Sequence, residues 1–496
     1  MQALPELVYP VAAVRDVDRA AIEEQGIPGY SLMSRAAGAA LELAQERFPA
    51  AGRWLFVAGS GNNGGDAYVM ARLALAEGKA VSVMAASDPE RLSGDAKTAF
   101  GDYLDAGGTL EPGGEPLPGG VDLLIDGLLG TGLAREVTGS YRALIEAMNG
   151  HTAPVLALDV PSGIAGDSGH ALGAAVAAHS TIAFVGLKPA YFLADGIDCC
   201  GELYFAGLGI AADCYRPDRA LLRRIPDEFR QAHLRPRQRN AHKGLFGHVL
   251  VVGGTAGMPG AALLAAKAAL RSGAGSVTVA THPAHADSLV AACPELMVQG
   301  VDSEDELVLQ LERASVVVLG PGLGLDAWSK KVYACVSADE RTGNRPSVWD
   351  AGALTQLGAA PFQSDARVIT PHPGEAAALL GSHAGAVQAD RLAALSELRE
   401  RYAGVAVLKG AATLVSSRDA VPYVSARGNP GMSTAGMGDV LTGVIAALAA
   451  QGLPLTVAAS LGVDVHARAG DAAALGGERG MLAGDVIEQL REAVNP

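Results

Sequence analysis

Two α/β domains with parallel sheets are what this sequence predicts, and three observations predict them. Short apolar runs alternate with stretches of helical period in two separate series, the mark of strand–helix units. A polar stretch rich in proline and arginine divides the series. The chain has 496 residues, of which 63 are glycine, with 49% hydrophobic and only 5% aromatic residues. At roughly 150 residues per domain it can form two to four domains with full cores, and an Ala- and Gly-rich composition of this kind is not that of a disordered chain.

In chain order, residues 14–48 read as two helices broken at "GIPG". The first series of strands follows: "WLFVAG", "AVSVMAA", "VDLLIDGLLG", "PVLALDV", "STIAFVGL" and "ELYFAGLGI". The seam is "YRPDRALLRRIPDEFRQAHLRPRQRNAHKG", read as a solvated linker rather than a binding arm. The second series runs "HVLVVGGT", a helix over residues 259–271, "SVTVATHP", "VVVLGPGLG", "PSVWDAG", "ARVITPHPGE" and "VAVLKGAATLVSS", and it ends in helices.

Formal net charge is −15. No Lys/Arg cluster is long enough to track a phosphate backbone, which argues against nucleic acid and anionic membranes as partners. The five cysteines are odd in number, scattered and without CxxC spacing, so they fit a reducing compartment. The opening "MQALPELVYP" lacks the charged and apolar regions of a signal peptide. No apolar run approaches the ~18 residues of a membrane span. The expected location is cytoplasmic.

Two glycine loops carry the chemistry. "WLFVAGSGNNGGDAYVMARLAL" runs from a strand through a GxGxxG loop into a helix, where backbone amides can meet a pyrophosphate. Asp66 either caps that helix or belongs to a site. Asp126 and Asp159 end two further strands, on the side where an open parallel sheet gathers ligands. Asn63, Asp126 and Ser162 offer hard oxygens suited to an alkali or alkaline-earth cation.

In the second half, Lys409 offers a charge to a nucleotide phosphate, and "KGAAT" adds backbone amides and the Thr413 hydroxyl. Gly436 and Gly438 form a turn that, with a helix starting at Val440, makes an anion hole. At its rim Asp439 either caps the helix or takes the proton of a hydroxyl attacking phosphate. His372, between two prolines, is either a structural group or one presented to substrate.

"GSGNNGGD", "DGLLGTGLARE", "LDVPSG" and "GLKPAYF" together resemble the YjeF N-terminal domain, the NAD(P)H-hydrate epimerase, over residues 14–214. The resemblance implies a Rossmann-like three-layer αβα fold. It implies contacts to the hydrated dinucleotide from Asn62, Asn63, Gly64, Gly65 and Asp66, from Gly130, Thr131, Gly132, Leu133, Ala134, Arg135 and Glu136, and from Tyr141. It gives Asp159 substrate contact and proton transfer, and it gives Asn63, Asp126 and Ser162 a potassium ion. Ala67 departs from a position where many members have glycine.

After a linker at 215–223, residues 224–496 resemble the YjeF C-terminal domain, the ADP/ATP-dependent NAD(P)H-hydrate dehydratase of the ribokinase-like group. The segments that carry this likeness are "GHVLVVGGTAGMPGAALLAAKAALRSGAGSVTVATHP", "VVLGPGLG", "VITPHPGEAAALL", "VLKGAATLV" and "GNPGMSTAGMGDVLTG". It implies that Lys409, Gly410, Ala411, Ala412, Thr413 and Gly438 bind ADP or ATP with magnesium. Ala262, Gly322, His372 and Asp439 would contact the hydrated substrate, with Asp439 catalytic. Gly352 departs from a position where relatives often carry a second acid, and Met437 from a frequent threonine.

Together the two likenesses imply a homo-oligomeric, two-step repair enzyme. It would epimerise the R and S hydrates of NADH and NADPH and dehydrate the S form with ADP or ATP. The competing readings are a small-alcohol kinase fused to a regulatory dinucleotide-binding domain, and a non-catalytic dinucleotide sensor.

Overall fold

The computed structural model describes residues 2–111, 116–417 and 420–496, and the chain forms two compact units, Met1–Arg223 and Arg224–Pro496.

In the first unit the strands are β1 (Leu7–Val8), β2 (Arg53–Ala58), β3 (Ala80–Ala85), β4 (Leu110–Glu111), β5 (Leu123–Gly127), β6 (Val155–Leu158), β7 (Ser180–Phe184), β8 (Glu202–Ala206) and β9 (Leu222–Arg224). One sheet has the order β4-β3-β2-β5-β6-β7-β8, and all its pairings are parallel. Alternate residues of β2 go to opposite faces, as a strand's period of two requires. Trp54, Phe56 and Ala58 join the core formed with helices Val11–Glu23, Gly29–Arg47 and Asn62–Ala76. Leu55 and Val57 join Leu144, Ile145 and Met148 of helix Gly139–Gly150. Both faces are thus covered, giving three layers. The chain leaves β2 toward β3 and β4, then returns to β5 and proceeds the other way, so the order reverses between β2 and β5. At such a reversal the loops beyond the strand ends diverge and leave a crevice.

The seam is more ordered than a solvated linker. Leu222 is fully buried in β9, which pairs antiparallel with β1, and helix Asp227–His233 places Phe229 against the core of the second unit. Apolar residues at Leu222 and Phe229, isolated among charges, gave no periodic signal in the sequence.

In the second unit the strands are β10 (His248–Val252), β11 (Ser276–Thr281), β12 (Met297–Gly300), β13 (Val316–Leu319), β14 (Ser347–Trp349), β15 (Arg367–Ile369), β16 (Val405–Leu408), β17 (Leu414–Ser417) and β18 (Ala420–Val424). They run in the order β18-β17-β16-β15-β14-β13-β10-β11-β12, parallel from β12 to β16 and antiparallel from β16 to β18. Here the reversal lies between β10 and β13. Helix Met437–Ala450 is buried for most of its length against Pro259–Arg271, whose alanines Ala262, Ala265 and Ala269 allow close approach. The helix begins at Met437, three residues before the expected Val440. Gly436 adopts φ +90°, a left-handed turn open to glycine, and this starts the helix early enough to place Gly438 and Asp439 in its first turn.

Candidate active sites

A cavity of about 630 Å³ opens at the β2/β5 reversal of the first unit. Among the expected residues, Asn62, Asn63, Asp66, the run Gly130–Arg135 and Asp159 line it. Gly64 and Gly65 are buried just inside helix Asn62–Ala76, against Gly59 and Met33. Glu136 stands beside Gly173, and Tyr141 packs on the apolar cluster of the opposite sheet face. Neither lines the cavity. Asp66 is not a cap, because Gly61 occupies that position and Asp66 sits a turn inside the helix.

Asp159 follows β6 with φ +63°, a conformation few L-residues adopt outside functional sites. Its Oδ1 accepts from Lys188 Nζ at 2.6 Å, and its carbonyl accepts from the Tyr191 hydroxyl at 2.8 Å. The Lys188 side chain is 3% exposed and also reaches the carbonyls of Phe184 and Gly186. Asp18 faces the same cavity from helix Val11–Glu23. Burial, with Asp159 adding and Lys188 opposing, lifts its carboxyl to about 6. Burial, then Asp159 and Asp18, push Asp66 well above the usual carboxylate range.

Sequence reasoning assigned no role to Lys188 or Asp18. Lys188 stood inside a quoted motif, and a lysine within an apolar strand end is a usable signal. Asp18 had none, since Asp16 on the same helix is a surface residue paired with Arg19 and Arg219.

Asn63, Asp126 and Ser162 converge on the turn after β5. Asp126 is fully buried, accepting from the Ser162 hydroxyl at 2.5 Å, the Ser162 amide at 2.8 Å and the Leu128 amide at 3.2 Å. Burial, opposed by those bonds, lifts its carboxyl to about 6. Asn63 donates to the Leu129 carbonyl at 2.9 Å, which leaves its Oδ1 buried without a partner among the described residues. An orphaned amide oxygen beside a buried carboxylate and a hydroxyl is a hard donor set that fits an alkali cation.

In the second unit, Lys409 Nζ lies 2.7 Å from Asp350 Oδ1 and 3.7 Å from Glu375 Oε2. Asp350 is 2% exposed and also accepts from Thr442 at 3.1 Å. Lys409 is therefore already balanced by acids. Asp439, on the first turn of helix Met437–Ala450, is pushed up to about 7 by burial, with Asp350 and Glu375 adding and Lys409 opposing. Gly438 packs against Lys409, 3.0 Å from its Nζ to an added Cβ. Burial, then Lys409, hold His466 down to about 4.

The "KGAAT" loop leaves Gly410 and Ala411 exposed and Ala412 buried, with Thr413 Oγ1 donating to the Gly410 carbonyl at 3.0 Å. Its shape is set by Arg391, unmarked in the sequence, which donates to the carbonyls of Leu408, Lys409 and Ala412 at 3.1, 3.3 and 3.1 Å. Replacing Arg391 with Met leaves those carbonyls without their donor. For the adenine-nucleotide role that the sequence resemblance implies for this loop, a rise of about tenfold in the nucleotide's KM is expected, equivalent to ~1.4 kcal/mol, and steady-state kinetics at fixed second substrate reads it.

Gly322 and Ala262 both lie against Gly254 at the β10/β13 reversal. The Gly322 carbonyl accepts from Thr255 at 2.9 Å, and Ala262 is buried beneath Gly254. His372 caps helix Pro373–Leu380: its Nδ1 accepts from the Gly374 and Glu375 amides at 3.0 and 3.4 Å, leaving Nε2 3.6 Å from Glu375. At Gly352 an added Cβ would fall 1.9 Å from the Leu323 carbonyl oxygen. A second acid cannot stand there on this backbone, and the buried acid of this site is Asp350, two residues earlier. Gly352→Asp is expected to destabilise the second unit by about 3 kcal/mol through overpacking, read as a lowered urea midpoint.

Comparison with known proteins places these two sites in context. Residues 249–492 match the family described as NAD(P)H-hydrate dehydratase, and residues 29–190 match the family described as YjeF-related protein N-terminus. A bifunctional NAD(P)H-hydrate repair enzyme of Coxiella burnetii is 43% identical over 99% of this chain and 100% of its own length. That of Escherichia coli is 41% identical over 100% of this chain and 95% of its own. Among solved structures, a hypothetical protein of Streptococcus mutans matches at 28% identity and TM-score 0.51, covering 55% of this chain and all of that one. A ribokinase-like superfamily protein of Enterococcus faecalis matches at 29% and 0.50, covering 55% and 95%.

Proposed function

Since this chain belongs to the bifunctional NAD(P)H-hydrate repair enzymes, we propose that its first unit interconverts the R and S hydrates of NADH and NADPH. Its second unit dehydrates the S hydrate with ADP, giving AMP and phosphate, or with ATP. The observation that carries this reading is full-length likeness to relatives with that name, in a chain whose two units each set a lysine–aspartate pair beyond the carboxyl ends of parallel strands.

In the second unit, Asp439 takes the proton of the hydroxyl on the hydrated nicotinamide ring. The freed oxygen attacks the terminal phosphorus of the nucleotide, and the bond to the departing nucleotide oxygen breaks. The phosphorylated oxygen then leaves as phosphate, pushed out by the ring nitrogen's lone pair, and loss of a ring proton restores the reduced nicotinamide. The exposed amides of the Gly410 loop and the first turn of helix Met437–Ala450 hold the phosphates, and magnesium bound to those phosphates would neutralise their charge. A carboxyl that titrates near 7 suits a base working at neutral pH.

In the first unit, Asp159, oriented by Lys188, transfers a proton at the oxygen borne by the hydrated carbon, while the Gly130–Arg135 loop holds the dinucleotide. Asn63, Asp126 and Ser162 would hold potassium, which supplies positive charge at the cavity wall. Free cysteines throughout suit the cytoplasm.

The test is to incubate the protein with mixed R and S NADH hydrate, ADP, magnesium and potassium and follow reduced-nicotinamide absorbance. Recovery of both epimers is expected, slowed when potassium is replaced by a larger organic cation. A stable phosphorylated product with no recovery would replace this reading with a kinase.

A further inference from the structure

Epimerisation at a carbon that carries a hydroxyl and adjoins a ring nitrogen breaks a C–O bond on one face and makes one on the other. One group must protonate the departing oxygen, and another must take a proton from the water that arrives. Asp159, fixed by Lys188 at 2.6 Å, supplies one of these.

We propose that Asp18 is the other, a second catalytic residue of the first unit, acting from helix Val11–Glu23 on the substrate that Asp159 meets from the end of β6. This rests on the epimerase reading above.

Four carboxyls line the cavity, Asp18, Asp66, Asp95 and Asp159, and their surroundings separate them. Asp95 stands against Gly29, at the start of helix Gly29–Arg47. Asp159 has an ammonium partner. Neither Asp18 nor Asp66 accepts a hydrogen bond from any described residue, so both are available to a ligand. Of these two, Asp18 lies within the field of both Lys188 and Asp159. Asp18 is therefore the free carboxyl grouped with the Asp159–Lys188 pair. Its position is also fixed. The Val11 amide donates to Asp167 at 2.7 Å, and Arg15 reaches the Thr131 carbonyl at 3.2 Å, so the helix is tied to two loops around the cavity. Titration near neutrality lets such a carboxyl give or take a proton.

In one direction the hydroxyl takes a proton from Asp18, and the C–O bond breaks with its electron pair leaving on water. The ring nitrogen's lone pair forms a C=N bond. Water then adds to the other face, the C=N pair returns to nitrogen, and Asp159 accepts the surplus proton. Proton exchange with solvent resets both carboxyls, and the reverse sequence serves the other epimer.

The test follows R and S interconversion by chromatography without nucleotide, so that the second unit is silent. Asp18→Asn is expected to lower kcat by about 100-fold, with KM changed less than about threefold. Asp18→Glu, which keeps the carboxyl, is expected to recover at least tenfold of that loss. The proposal is overturned if Asp18→Asn keeps kcat within twofold of wild type, or if Glu is as inactive as Asn, the mark of a merely structural residue. It is also overturned if Asp66→Asn removes turnover and Asp18→Asn does not. Wild-type chain that dehydrates the S hydrate with ADP but interconverts nothing would instead bring down the epimerase reading itself.

Discussion

Asp439→Asn is expected to lower dehydratase turnover about 1,000-fold, because an amide of the same shape cannot take the hydroxyl proton. KM for the S hydrate is expected to stay within about threefold, and R and S interconversion to be unaffected. The pH profile supplies an independent signature. Asp439 acts as a base only when ionised, and burial with two nearby acids lifts it to about 7. In wild type, kcat/KM should therefore rise with pH through about 7 and level off above it, and Asp439→Asn should lose that limb. Glu375→Gln removes one of the like charges and should move the midpoint down, whereas Lys409→Met removes the opposing cation and should move it up. The stability effect has the opposite sense. A carboxyl with a raised folded pKa binds its proton more tightly in the native state than in the unfolded one. Its stabilising contribution is full below about 4 and is lost as pH rises through 7. Denaturant titrations across that range should show it, and the pH at which this base works is one at which it favours the fold least. A turnover loss under tenfold with the pH limb intact would remove Asp439 from the reaction.

The second large effect is at Asp159. Asn tolerates the left-handed backbone there, so Asp159→Asn isolates the charge. Interconversion is expected to fall at least 100-fold. With a mixed hydrate, ADP and magnesium, absorbance recovery should then halt at the S fraction instead of going to completion. The mutation also leaves the Lys188 ammonium, 3% exposed, without its counter-charge. Breaking a buried pair by removing one partner costs about 3–5 kcal/mol, so a lower melting temperature should accompany the kinetic loss. Complete recovery of both epimers by the Asn variant would exclude Asp159 from epimerisation.

The two-domain α/β class could be read from the sequence because apolar runs of strand length recur between helical stretches, and β2, β5, β10 and β13 all fall within quoted runs. The glycine loops could be read because loops at strand ends have few other reasons to be so rich in glycine. What could not be read depends on folding distance. Lys188 meets Asp159 across 29 positions, Lys409 meets Asp350 across 59, and Asn63 meets Leu129 across 66. No local period encodes such pairs. Local signals misled where a residue could serve two ends: Asp66 had the composition of a cap, yet Gly61 starts that helix. His372 caps its helix through Nδ1 with a side chain 56% exposed, so the cap is compatible with a contact to substrate. Arg391 shows the limit most plainly, since an arginine in a helix reads as surface, and only the folded chain reveals three carbonyls waiting for it.

The backbone at Asp159 has a bearing on how such a chain would drift. An L-residue held at φ +63° stores strain of about 1–3 kcal/mol, which glycine at the same position would relieve. Discarding this aspartate gains the fold nothing, because the same change strands the Lys188 ammonium at a cost of about 3–5 kcal/mol, more than the strain it relieves. The ion pair thus holds in place a backbone that the fold would otherwise relax, so the strained turn and the buried lysine stand or fall together.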